Sequence, residues 1–284
     1  MNITRALVMG GGGVVGTAWM TGLVSGLRRE GVDLAEADVI VGTSAGSIVG
    51  TMLATGQDFD SDAPARPADQ GDSAPTADRG RLTEVFAILA DAGLEPTDAR
   101  RRVGRIALAA ETITEQAHVA GISTLITAHT WPDRELLITA VDVETGELKV
   151  WDRAGDAPLR TAVASSCALP GVSPPVTVNG RRYMDGGIGS GTNADVATDA
   201  DVLVLVEPLA HLFPREPLER ELAAAGAGTV ITINPDQAAL DAFGPDLGDW
   251  AAWQPAREAG ITQAATTAER VRAAWSTKDR RNWL

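Results

Sequence analysis

The chain opens with a short run of apolar and β-branched residues at 4–9 that ends in a string of glycines at 10–13. Consecutive apolar positions over so short a span, closed by glycine, read as a strand buried on both faces. The period then changes: Trp19, Leu23 and Leu27 recur every four residues with Met20 and Val24 beside them, a helical stripe that stops at Gly31. Residues 38–41 predict a second strand, and beyond Gly42-Thr43-Ser44-Ala45-Gly46 the apolar Ile48, Val49, Met52 and Leu53 return at helical spacing. The opening of the chain is therefore a strand, a glycine loop, a helix, a strand, a sharp turn and a helix. That order calls for a parallel sheet with helices on its faces.

Residues 57–80 break the pattern. Aspartate, proline and small residues replace the large apolar ones, and a segment that buries so little apolar surface reads as a loosely held or disordered insertion. Helices are predicted at 82–92, 97–110 and 112–120, interrupted or bounded by Gly93, Pro96, Gly104 and Gly121; a cap over a site and ordinary core helices fit them equally. From residue 135 strands return, at 136–143 and 147–151 around Thr145-Gly146 as a hairpin. A helix follows at 159–166, then a proline-rich turn at 170–175. Two short strands around Asn179-Gly180 run out into Asp185-Gly186-Gly187. Buried strands at 202–206 and 229–233 precede a helical C-terminal segment at 254–284, with Ile261, Ala265, Ala268, Val271 and Trp275 on its apolar side. No repeat divides the chain, which reads as a single domain over 1–284.

Composition narrows the classes. Hydrophobic residues at 44% and charged residues at 22% belong to a globular protein. A net charge of −14 argues against nucleic acid and against electrostatic docking to anionic lipid. The single cysteine, Cys167, rules out an internal disulfide framework and reads as a small buried hydrophobe. No signal peptide is recognised, and no apolar run approaches the roughly 20 residues of a membrane span. The expected location is the cytoplasm, with peripheral contact at membrane surfaces left open. Trp250, Trp253, Trp275 and Trp283 would suit either such an interface or packing.

The candidate chemistry lies at the two glycine-rich turns. Gly-x-Ser-x-Gly between a strand and a helix is the setting of a nucleophile elbow, with Ser44 at its apex and Gly42 and Gly46 leaving room for strand and helix to approach. Without that setting the pentapeptide carries little weight. Gly11-Gly12-Gly13-Val14-Val15-Gly16 has two readings: an oxyanion loop whose amides face Ser44, or a dinucleotide fingerprint with Asp33 or Asp38 further on. The first uses both turns; the second leaves the elbow unexplained.

Asp185, at a strand end before two glycines, is either a turn aspartate or the partner of the serine. Histidine is the usual base for a serine, but His118, His129 and His211 lie in no recognisable catalytic setting. His211 follows Asp185, so a Ser-Asp-His order is formally available. No cluster of histidine, cysteine and carboxylates has ligand spacing, so neither a metal nor an organic cofactor is expected.

The glycine loop, the elbow and the distant Asp185-Gly186-Gly187, with Ser165-Ser166-Cys167-Ala168-Leu169-Pro170-Gly171-Val172 between them, resemble the bacterial patatin-like phospholipases over about residues 3–55 and 135–206. The resemblance implies a three-layer α/β/α fold with a mainly parallel central sheet. It also implies a Ser44–Asp185 dyad without histidine, an oxyanion hole from Gly11, Gly12 and Gly13, structural support from Gly16, Gly42, Gly46, Gly186 and Gly187, and hydrolysis of lipid acyl esters. Many relatives carry Arg or Lys where this chain has Val15, which puts a preference for anionic headgroups in doubt. An acyltransferase using the same serine, and a non-catalytic dinucleotide-binding module, remain as alternatives.

Overall fold

A computed structural model describes residues 3–60 and 79–275 of the chain. Five strands form the parallel body of the sheet. β1 (Arg5–Met9) lies between β2 (Val39–Thr43) and β7 (Val202–Val206), with β3 (Glu135–Asp142) beyond β2 and β8 (Thr229–Ile233) beyond β7. Three further strands join antiparallel: β4 (Leu148–Trp151) and β6 (Arg181–Asp185) on β3, and β5 (Val176–Val178) on β6. The whole is one eight-stranded sheet.

Alternate strand residues feed two different cores. Leu7, Met9, Ile40, Ile138, Val204 and Ile233 face one side, where they meet α1 (Gly13–Arg29), α2 (Ala45–Ala54), α6 (Leu159–Ser166), α8 (Gln237–Phe243) and α9 (Trp253–Trp275). Ala6, Val8, Val41, Leu203 and Leu205 face the other side, against α7 (Arg215–Ala225). Farther along that second face, Val141, Val143 and Met184 meet α3 (Arg79–Leu89) and α4 (Pro96–Ala109). Both faces of β1 and β7 are covered, which is why these strands are continuous apolar runs rather than alternating ones. The three-layer expectation is met. α3 and α4 belong to the second helical layer, while α5 (Glu115–Ser123) packs beside α6 through His118, whose Nε2 lies 2.9 Å from the Ala164 carbonyl. No helix among the described residues is long and apolar enough to cross a membrane.

Four expectations need correction or restriction. The insertion expected at 57–80 does not begin where composition changes, because its first residues are held. The Gln57 amide bridges the backbone of Leu125 and Thr127, Phe59 is buried, and Asp60 accepts from Ser25 and Arg29. One aromatic ring is enough to anchor an otherwise polar stretch. Residues 61–78 lie outside the described residues, and α3 begins directly after them. On α9 the inward position is Ala264, not Ala265, because Gly260, Ala264, Ala268, Val271 and Trp275 form the buried stripe. β8 is an edge strand, so Thr229 and Val230 are exposed. Trp253 and Trp275 are core residues, and Trp283 lies outside the described residues.

α1 is buried without interruption from Val15 to Leu27 because α9 crosses it in backbone contact. A Cβ at Gly22 would sit 2.0 Å from the Arg257 carbonyl oxygen. The Trp19 indole fixes the same crossing, its N–H donating to the Gln263 Oε1 at 3.0 Å. Gly22→Ala is expected to force the helices apart and cost about 3 kcal/mol, the upper range for overpacking. Gly31→Ala, at φ +78° with nothing near the added methyl, should cost only the left-handed strain of about 1 kcal/mol. Thermal unfolding of the two variants should therefore show a much lower Tm for the Gly22 change.

Candidate active site

Strand register brings the two sequence-predicted residues together. β2 pairs with β3 up to Thr43 opposite Thr139. β6 pairs with the next part of β3, Asp185 lying opposite Ala140. β4 occupies the far edge of the same β3 residues, so β2 and β6 share one edge and meet end to end. The residue after Thr43 is Ser44. Its Oγ donates a 2.8 Å hydrogen bond to Asp185 Oδ2.

The turn at Ser44 is strained. Ser44 adopts φ 51° and ψ −119°, the left-handed side that a residue with a Cβ avoids. Three contacts hold it there. Its N–H donates to Ser166 Oγ at 2.8 Å, and its carbonyl accepts from the Ser47 hydroxyl and the Ser47 amide. The flanking glycines allow the close approach, since a Cβ at Gly46 would lie 1.9 Å from the Met9 carbonyl oxygen and one at Gly42 2.6 Å from Ser47 Cα. Ser44 stands at the N-cap of α2 without capping it, leaving the hydroxyl to Asp185. The helix then aims the positive end of its dipole at that oxygen.

Asp185 is 3% exposed. Burial raises its pKa from 3.8 to about 7, while the Gly187 N–H on Oδ1 at 2.7 Å and the Ser44 hydroxyl on Oδ2 oppose the rise. Gly186 packs onto β3, where a Cβ would lie 2.4 Å from Thr139 Oγ1. Beneath the pair sits a buried polar cluster. The Asn193 side-chain amide is within 3.0 Å of Thr43 Oγ1, 3.2 Å of Thr139 Oγ1 and 2.9 Å of the Ser190 carbonyl, and the two threonine hydroxyls are 2.8 Å apart. Sequence alone points to neither Ser166 nor Asn193. Ser166 does lie in the stretch between elbow and aspartate that shares in the family resemblance, but nothing local marks Asn193.

The glycine loop runs past Ser44, with the Cβ position of Gly11 3.7 Å from Ser44 Cβ. Its amides are not equivalent. Gly11 N–H donates to the Gly191 carbonyl at 2.9 Å, and Gly16 N–H to the Gly12 carbonyl at 2.9 Å. Val14 and Val15 N–H both reach the Leu247 carbonyl, at 2.8 and 3.3 Å. Gly13 and Ala45 are the first residues of α1 and α2, positions whose amides have no acceptor inside the helix. Among the described residues no hydrogen bond occupies the amides of Gly12, Gly13 or Ala45.

The three histidines stand apart. His118 is buried on α5, His129 lies 3.2 Å from an Arg160 nitrogen, and His211 is exposed between β7 and α7. No described hydrogen bond joins any of them to Ser44 or Asp185. Cys167 is half-buried with its Sγ 3.7 Å from Ser47 Oγ, and burial together with the nearby Asp185 raises its thiol pKa. No group of three or more His, Cys, Asp or Glu side chains able to hold a metal occurs among the described residues.

Among solved structures, VipD from Legionella pneumophila aligns with 95% of this chain and 67% of its own, at 12% identity and a TM-score of 0.49. ExoU in its complex with SpcU from Pseudomonas aeruginosa aligns with 94% of this chain at 17% identity and a TM-score of 0.41, this chain spanning 51% of it. The sequence model described as patatin-like phospholipase matches residues 7–198, which take in the glycine loop, the elbow and the Asp185 turn. The chain belongs to the patatin-like phospholipase family.

Proposed function

We propose that this protein hydrolyses acyl esters of lipids with Ser44 as nucleophile and Asp185 as its base, without a histidine. The observation that carries the reading is the 2.8 Å hydrogen bond from Ser44 Oγ to a buried carboxylate, made by a serine held at φ 51° on a helix N-terminus. A base that titrates near 7 is poised to take a proton at neutral pH.

As Ser44 Oγ bonds to the ester carbonyl carbon, its proton passes to Asp185 Oδ2. The carbonyl oxygen gains the negative charge, and the amides of Gly12, Gly13 and Ala45 receive it. Gly11, whose amide the Gly191 carbonyl holds, serves by approach rather than by donation. Collapse expels the alcohol, which leaves with the proton from Asp185. Water then attacks the acyl-serine, gives its proton to Asp185, and the acid departs as Ser44 is restored. The buried Thr43–Thr139–Asn193 cluster keeps the two strand ends in place while the charge moves.

The dinucleotide alternative loses support from the same contacts. A pyrophosphate would draw on the amides of Gly12 to Val15, and of these the Leu247 carbonyl already holds Val14 and Val15. The carboxylates that a ribose would need are engaged as well: Asp33 accepts from the Ala35 N–H and Asp38 from the Arg5 N–H.

Ser44→Ala should abolish both ester hydrolysis and labelling by a fluorophosphonate probe in a protein that still folds. Asp185→Asn should lower turnover about 10²–10⁴-fold. His118→Gln, His129→Gln and His211→Gln should each keep turnover of the order of the parent. A folded His211→Gln protein as inactive as Asp185→Asn would replace the dyad with a triad. Product analysis with and without an added alcohol acceptor separates hydrolysis from acyl transfer.

Activity should also rise with pH through an apparent pKa near 7, as the Asp185 carboxylate forms. Stability runs the other way. The unfolded carboxyl releases its proton near 3.8 and the folded one only near 7, so stability falls as pH climbs through that window and stays lower above it. Asp185→Asn keeps an acceptor for the Gly187 N–H and removes the buried charge. At pH 8 its Tm should exceed that of the parent, and at pH 4 the difference should vanish. An inactive variant with unchanged Tm at pH 8 would mean that the charge is not desolvated.

A further inference from the structure

Helices α3 and α4 pack on each other and on the second face of the sheet through Val85, Val103 and Ala107. α4 lies so close to the end of β3 that a Cβ at Gly104 would fall 2.3 Å from the Val143 carbonyl oxygen. Arg100 Nε fixes its other end, donating to the Gly146 carbonyl at 2.6 Å. With Val103, Gly104 and Ala107 turned inward, Arg102 and Arg105 are left on the outer side, both exposed. There they face Arg81 and Glu84 of α3 across a groove of about 560 Å³ floored by Ile88 and Ile106.

The charge in this groove runs against the chain as a whole. Three guanidiniums line it with one carboxylate, in a protein whose net charge is −14. Among the described residues Arg102 and Arg105 enter no ion pair or hydrogen bond, although neighbouring Arg101 pairs with Asp98. Arg102 and Arg105 stand three residues apart on α4, where like charges repel unless an anion lies between them, and planar guanidinium forks match phosphate oxygens.

An exposed apolar patch lies on the other flank of α3, where Phe86 stands two residues from both Glu84 and Ile88. Phe86, on the same helix as Arg81, is 45% exposed and its ring lies 6.5 Å from that of Phe213, itself 40% exposed. Leu212 next to it is 53% exposed. Phe213 stands over Gly191, whose carbonyl holds the Gly11 amide. Basic and apolar groups on the two flanks of one surface helix are what an anionic lipid surface accepts.

We propose that the α3–α4 groove binds the phosphate of anionic lipid headgroups and, with the Phe86–Phe213 patch, seats the active-site face on a membrane. The assignment builds on the lipid-hydrolase reading, because a bilayer is then the surface that presents the substrate. It reverses what the net charge alone suggests, since a local excess within a Debye length outweighs distant carboxylates.

The test is vesicle co-sedimentation of the Ser44→Ala protein, so that binding is read without turnover. Vesicles of phosphatidylcholine alone are compared with vesicles mixed with phosphatidylglycerol. Arg102→Gln together with Arg105→Gln should weaken binding to the mixed vesicles about 30-fold, roughly fivefold for each guanidinium. Arg153→Gln with Arg220→Gln, the same change of net charge at exposed sites elsewhere, should leave binding near that of the parent. In a background with Ser44 intact, hydrolysis of a soluble p-nitrophenyl ester should be unchanged by the groove pair.

Equal binding by the groove variant, or equal loss in the control pair, would overturn the proposal. So would calorimetric binding of inorganic phosphate at the groove without affinity for either vesicle, which would make it a site for a soluble phosphate. Groove-dependent vesicle binding by a chain that hydrolyses no lipid would uphold the groove and sink the hydrolase reading.

Discussion

β2 and β6 approach the same edge of β3 from opposite ends and stop at its neighbouring residues Thr139 and Ala140. The meeting of Ser44 with Asp185 depends on that stop. Neither residue could reach the other if either strand were displaced by one pair, because a one-residue slip turns every side chain to the opposite face. The polar contacts around Asn193 lie at this joint, tying Thr43 of β2 to Thr139 of β3 and to the loop after Asp185. Such a cluster is satisfied only in one register, which makes it a lock on alignment more than a source of stability.

Two local costs are concentrated at the joint. Ser44 is held in a backbone conformation it would not choose, and Asp185 is held away from water. Each is offset by neighbouring groups. Ser166 satisfies the Ser44 amide, and Gly187 satisfies the Asp185 oxygen that Ser44 does not use. The pair is therefore held in one arrangement, with strain and desolvation borne by the surrounding β3, α2 and α6.

Most of the fold is legible in the chain because parallel strands and their helices leave strong periodic marks. The runs that form β1, β7 and α1 can be read directly. Ser44 and Asp185 are legible because each sits at a glycine-bounded strand end, a local signal. Their contact is not, since it depends on registers to β3 that no short stretch encodes. Asn193 and Ser166 are hidden for the same reason: a serine or asparagine in a loop looks alike whether it faces water or a neighbouring amide. Phe59 shows how a compositional reading fails, one buried ring anchoring residues whose neighbours are polar. The outward position of Ala265 reflects another limit: in a helix rich in alanine, hydrophobicity barely distinguishes the packed side from its neighbour.

The match to the family ends at residue 198, but the glycine loop leans on residues beyond that point. α1, which begins at Gly13, lies against α9 along a crossing too tight for a methyl group, and the Leu247 carbonyl closes over its first turn. Arg272 and Trp275 fasten the far end, reaching the Glu30 and Asp33 carbonyls. The segment that carries the glycine loop and the segment that clamps it are thus different parts of the chain. A boundary drawn where the family signature stops would leave α1 with one bare flank of large apolar side chains, Trp19 and Leu23 among them. The unit that packs together is larger than the unit that can be recognised.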